Sequence, residues 1–252
     1  MGARRFVPFG ELWSMRIDVP YSFLVIDGEQ AWSCGQLALD SAGEVLHPGD
    51  LAAQSTIVAD NLVEILRRAD LDTDGIGELV LYHSPADADA LAAMTVAFRR
   101  VAPHARLVPF EVPHFYYDGV VLEVDLFYGP LIEWPTPTAT AAGDVRLTTA
   151  RSGRFTRVEA RVEGGTDDLV PQTEAVMAAL DAHLPELGLA YIDVVKSTTH
   201  YVAGDSPEEL HDNMAIRNRR YSSPGPASTG VPVDGFADPA CRIVVTLTLA
   251  TS

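Results

Sequence analysis

Cysteine is scarce in this chain of 252 residues, and basic charge is outnumbered. Only Cys34 and Cys241 are present. Two cysteines are too few for a disulfide framework, so both thiols are expected to be free in a reducing compartment. Asp and Glu total 35 against 18 Lys and Arg, a formal charge of -17, which repels nucleic acid and anionic membrane. The one basic cluster, Arg217-Asn218-Arg219-Arg220, reads as a solvated helix end, where cations complement exposed carbonyls. No apolar run reaches membrane-spanning length, and Met1-Gly2-Ala3-Arg4-Arg5 leads into none. The expected location is therefore cytoplasmic. Nucleotide, serine-hydrolase and metal chemistry lack their motifs. The chain has no glycine-rich phosphate loop at a strand-helix junction, no Gly-x-Ser-x-Gly elbow and no paired ligand spacing among its seven histidines.

What is present is enough apolar sequence, 47%, for a substantial core. The stretch from His104 to Tyr128 carries the most chemistry. Arg106 heads the run Leu107-Val108-Pro109-Phe110, and Glu123 lies inside the alternating strand Val120 to Phe127. Period two sets Val121, Glu123 and Asp125 on one face and Val120, Leu122, Val124 and Leu126 on the other. Between them His114-Phe115-Tyr116-Tyr117-Asp118-Gly119 ends in Asp-Gly, a reversal signal that predicts Arg106's strand alongside that of Glu123.

The chain reads as two halves of one design. Tyr21–Ile26 and Ala31–Leu39 form a predicted hairpin, 50–69 and 87–101 have helical periodicity, and 76–83 is a strand. Residues 129–143, with Pro130, Pro135 and Pro137, suit neither helix nor central strand and read as a linker between domains 1–128 and 144–252. In the second half a helix starts after Asp167-Asp168 and runs from Leu169 to Leu184. A constant shift sets Gln54 on Gln172, Leu62 on Leu180 and Leu71 on Leu189. Such internal duplication implies two domains of one fold.

The motifs, taken in order, resemble the reactive intermediate deaminase family, Rid or YjgF. Pro20-Tyr21 through Cys34-Gly35-Gln36 lies on the family's opening motif, Gln54 to Asn61 on its first helix, Ala105-Arg106 on its Pro-Ala-Arg segment, and Leu122-Glu123-Val124-Asp125 on its closing strand. In the second half Asp193 to Thr198 matches a family strand, with Ser228 in the arginine's place and Thr246 and Thr248 in those of the carboxylates. The resemblance implies an α+β fold of two tandem Rid-like (chorismate-mutase-like) domains, each a mixed sheet backed by two helices. It implies assembly in threes with clefts between neighbouring subunits. It also implies cofactor-free and metal-free hydrolysis of enamines or imines to 2-oxo acids and ammonia.

On that resemblance Arg106 holds a substrate carboxylate and Glu123 positions or activates water, while Tyr21 and Cys34 line the cleft. His114, Tyr116 and Tyr117 shape a wall for a larger or aromatic substrate. The plainer readings are a structural ion pair for Arg106, a solvent-facing strand residue for Glu123, a buried small side chain for Cys34, and packing or exposed turn aromatics for the rest. The family's cleft asparagine is replaced near Ala92, whereas the second half keeps Asn213 at about that place. The expected partner is a small molecule bearing a carboxylate, and the expected assembly is a homotrimer. A chorismatase-like or other specialised biosynthetic enzyme on the same fold, and a non-catalytic binding or scaffold protein, are the competing readings.

Overall fold

The computed structural model describes residues 3–9, 12–164, 168–203 and 207–251. Met1, Gly2 and Asp167, which the readings above touch, lie outside them. The chain divides into two compact units, Met1–Leu131 and Ile132–Ser252.

In the first unit, strands β1 (Arg5–Val7), β2 (Leu24–Asp27), β3 (Gln30–Ser33) and β4 (Gln36–Leu37) precede helix α1 (Leu51–Arg68). Then come β5 (Ile76–His83), α2 (Ala88–Val101), β6 (Arg106–Glu111) and β7 (Leu122–Tyr128). The sheet order is β1-β2-β3-β7-β5-β6, with β4 also on β7. The β5–β6 pair is parallel and the other pairs are antiparallel. Both helices start where an aspartate satisfies an orphan N–H. Asp50 accepts from Ala53 N at 2.9 Å and Asp87 from Ala90 N at 2.8 Å. The stripe Val58, Leu62, Ile65 and Leu66 on α1 and Met94 and Phe98 on α2 is buried, as are Leu79, Leu81, Leu122, Val124 and Leu126 on the sheet face that meets it. Glu78, Tyr82, Glu123 and Asp125 alternate onto the other face.

One expectation fails here. The turn ending in Gly119 (φ +84°) reverses the chain, but β6 and β7 are not neighbours, because β5 lies between them. Leading out of α2, β6 completes a parallel crossover onto β5, and the aromatic loop then steps over β5 to reach β7.

The second unit comprises β8 (Thr138–Ala142), β9 (Val145–Ser152), β10 (Phe155–Val162), α3 (Leu169–Glu186), β11 (Val194–Tyr201), α4 (Pro207–Asn218), β12 (Ala227–Pro232) and β13 (Ile243–Ala250). Its sheet order is β12-β11-β13-β10-β9-β8. The expected linker 129–143 is therefore strand in its last part. Residues Thr138–Ala142 pair with β9 as an exposed edge strand, a position that small polar residues tolerate once the prolines before them have passed.

The duplication extends to hydrogen bonding. Gln54, fully buried on α1, donates to Gly119 O at 2.8 Å and accepts from Val121 N at 3.0 Å. Gln172, buried on α3, likewise donates to Ala240 O and accepts from Arg242 N at 2.7 Å. Each glutamine clasps the backbone that leads into its unit's last strand.

Candidate active site

Glu123 is built into the sheet by its neighbours. In register it faces Leu37 of β4 and Tyr82 of β5, and its carboxylate lies directly on Gly35. A Cβ added to Gly35 would stand 1.6 Å from Glu123 Oε1 and 2.5 Å from its Cδ. The bare glycine thus leaves room for this placement of the carboxylate, which any Cβ would displace, a use typical of glycine beside strands. The carboxylate is half-buried.

Two phenols feel its charge, Tyr82 opposite it in the ladder and Tyr117 in the aromatic loop. Tyr82 is 4% exposed and hydrogen-bonds to Asp125, itself 8% exposed. Burial raises the Tyr82 pKa well above the ordinary phenol value, and the charges of Asp125, Glu123 and Glu78 raise it further. Burial likewise raises the pKa of Tyr117, and the charge of Glu123 adds to the effect. Both phenols therefore stay protonated, able to donate hydrogen bonds. Tyr117 is pinned from outside: its Oη accepts the Arg16 backbone N–H at 3.2 Å, and the Arg16 guanidinium stands 5.7 Å from its ring centre. Arg16 is held in turn by Glu44 at 2.8 Å and by the Gly43 carbonyl at 3.0 Å.

The remaining expected residues divide. Tyr116 stacks edge-on against Tyr117 with ring centres 5.0 Å apart and is exposed. His114 is exposed in the same loop, and Tyr21 is half-buried in the extended segment before β2. Cys34 is buried; its Sγ accepts from Gln36 Nε2 at 3.0 Å and its N–H bonds to Phe23 O. This thiol serves as packing and acceptor.

Arg106 does not join the cluster within one chain. It sits level with Glu78 on β5 and forms an ion pair with it, its side chain 64% exposed. Glu123 lies in the row of Tyr82 and Phe110, Arg106 in the row of Glu78 and Phe127. At about 3.3 Å per residue and about 4.8 Å per strand, the two Cα atoms are on the order of 16 Å apart.

The second unit lacks the pair, though not at the positions expected. Register sets Ala227 beside Lys196 as Arg106 stands beside Glu78. Val244 pairs with His200 as Glu123 does with Tyr82, and Thr246 with Thr198 as Asp125 does with Val80. Ser228, one residue on, faces the other side, because a single step along a strand flips the face. Asn213 is fully buried between helices, donating to Thr173 Oγ1 at 3.0 Å, and is not part of a cleft. Among the described residues no group of three His, Cys, Asp or Glu side chains is placed to hold a metal ion, and no helix is long and apolar enough to cross a membrane.

Tyr82 and Arg16 escaped the sequence reading, and Gly35 entered it only as part of the opening motif, not as the seat of Glu123. Strand alternation could have put Tyr82 on the face of a neighbouring carboxylate, but only the pairing register identifies which one.

No protein-family model matches the chain, and no curated protein matches it. Solved structures of Rid proteins are similar to half of it at a time. Escherichia coli TdcF with bound serine is 18% identical (TM-score 0.43), covering 50% of this chain and 100% of its own. RidA from the Antarctic bacterium Psychrobacter sp. PAMC 21119 is 18% identical (TM-score 0.43), covering 50% and 99%. YyfB from Yersinia pestis, a protein of unknown function of the conserved Rid family, is 26% identical (TM-score 0.38), covering 50% and 98%.

Proposed function

We propose that the chain is a tandem Rid-type enzyme whose first unit hydrolyses an imine or enamine bearing a carboxylate, without a cofactor. The observation that carries this reading is the seat of Glu123. A carboxylate laid on a glycine, opposite one neutral phenol and within electrostatic reach of another, is fixed in place to take a proton from water. Addition of that water to a C=N bond gives a carbinolamine, and proton transfer to nitrogen with C–N cleavage releases ammonia and the oxo acid. The Tyr117 phenol, whose oxygen accepts from Arg16 N, can donate its own proton in a hydrogen bond to the substrate or the departing nitrogen, while the Tyr82 donor is taken up by Asp125. The motif order from Tyr21 to Asp125 supports the same family.

Carboxylate capture falls to Arg106, whose planar guanidinium suits a bidentate grip. Its distance from Glu123 within one chain favours a shared site, in which Arg106 of one copy reaches the Glu123 cluster of another copy of unit 1. Subunit mixing tests this. At substrate well below KM, Arg106→Ala and Glu123→Gln should each lose nearly all activity on imines made from amino acids, while their co-refolded mixture regains about a quarter of the wild-type rate by random pairing. A mixture as inactive as its parents would place both groups in one chain's site, and activity undiminished in Glu123→Gln would remove the carboxylate from the chemistry.

A further inference from the structure

The sequence marks Arg217 as part of a solvated helix end, yet its side chain is buried, with the residue only 5% exposed. Its Nε donates to Asn213 Oδ1 at 2.8 Å and one Nη to Thr199 Oγ1 at 3.0 Å. These partners are neutral, and no carboxylate among the described residues meets the charge. A buried guanidinium with only neutral partners is costly unless an anion joins it.

The fold does not need a cation here, as the first unit shows. On α2 the residues Met94, Ala97 and Phe98 are buried at helical spacing; on α4 the same spacing is taken by Asn213, Ile216 and Arg217. Strand register likewise sets Thr199 where β5 has Leu81. Three apolar core positions have thus become Asn, Arg and Thr together, a concerted change that stability alone does not ask for.

The remaining nitrogen shows where a ligand would enter. Nη2 makes no hydrogen bond among the described residues and is not sealed from solvent. It points toward Gly230 on the edge strand β12, where an added Cβ would meet this atom alone, at 3.8 Å. We infer that the second unit carries a binding site for a small oxyanion, a carboxylate or a phosphate, entered beside Gly230 and neutralising Arg217. The unit that lacks the catalytic pair would then keep a ligand-binding role of its own.

Thermal unfolding of the full chain, in sodium phosphate or sodium acetate against sodium chloride of equal ionic strength, tests this. Phosphate stabilises most proteins nonspecifically, so the quantity read is the difference between wild type and Gly230→Val, whose side chain fills the entrance at an ordinary strand position. Wild type should show a saturable rise of about 3 °C at ten times Kd in at least one anion, absent in Gly230→Val and in Arg217→Met. The responding arm identifies carboxylate or phosphate. A wild type with no saturable rise in either anion, or a Gly230→Val variant that keeps the rise, overturns the site. Gly230→Val leaves the buried network untouched, so the outcome stands even if Arg217→Met does not fold.

Discussion

Glu123 does its proposed work only because Gly35 has no side chain. Gly35→Ala should push the carboxylate off its seat while leaving the core intact, and turnover should then fall about as far as in Glu123→Gln, some 10²–10⁴-fold for a lost general base. Arg106→Ala should chiefly raise KM. Steady-state kinetics on the three variants checks the split. Tyr82 adds a pH dependence. Its folded pKa lies above the unfolded phenol value, so its contribution to stability is whole below about pH 10 and is lost as pH rises from there toward the folded value. Unfolding midpoints should therefore fall more steeply above about pH 10 in wild type than in Tyr82→Phe, which has no proton to lose. Period two made the Glu123 face legible from sequence. Tyr117 was legible as a wall residue of the aromatic loop, but the seat on Gly35 and the part of Tyr82 were not, because only the pairing of β4 and β5 with β7 brings them to Glu123.

Secondary elements follow the chain's local signals closely where those signals are local. Both helices of the first unit begin at the aspartates that cap them, and the strand 76–83 is bounded as its composition suggests. Pairing is less local. Asp118-Gly119 signals a reversal but not which strand receives the chain, and the parallel bonds of β6 to β5 had already taken the place beside β5. The edge strand β8 was hidden by its small exposed residues, whose partner β9 supplies the apolar side. The glutamine clasps are the element-scale test of duplication. Gln54→Ala or Gln172→Ala leaves backbone groups unpaired where each side chain bridged them, and each change should destabilise its unit by about 1–3 kcal/mol in denaturant titration. A loss confined to one of the two variants would mean the clasps are not equivalent.

At the scale of the molecule, charge and symmetry set what assembly must achieve. Each chain carries -17, so copies repel at long range, and association has to rest on faces where charge is locally matched and screened. On the sheet face of the first unit away from its helices, Arg106 already neutralises Glu78, and the half-buried carboxylate of Glu123, beside the buried Tyr82 and Asp125, is the acidic group left for a partner or a substrate to meet. If Arg106 of another copy completes that site, every copy must both give an arginine and receive one. A ring satisfies that condition for all members at once, and an open chain leaves its ends inactive. The proposed homotrimer meets it with the fewest copies beyond a twofold pair. Light scattering on the purified protein should then give about three times 27.2 kDa at micromolar concentration. Raising salt should tighten rather than loosen the assembly, since screening weakens the repulsion between acidic chains more than it weakens a buried pair. A mass of one chain under the conditions of turnover would remove the second copy on which the shared site depends.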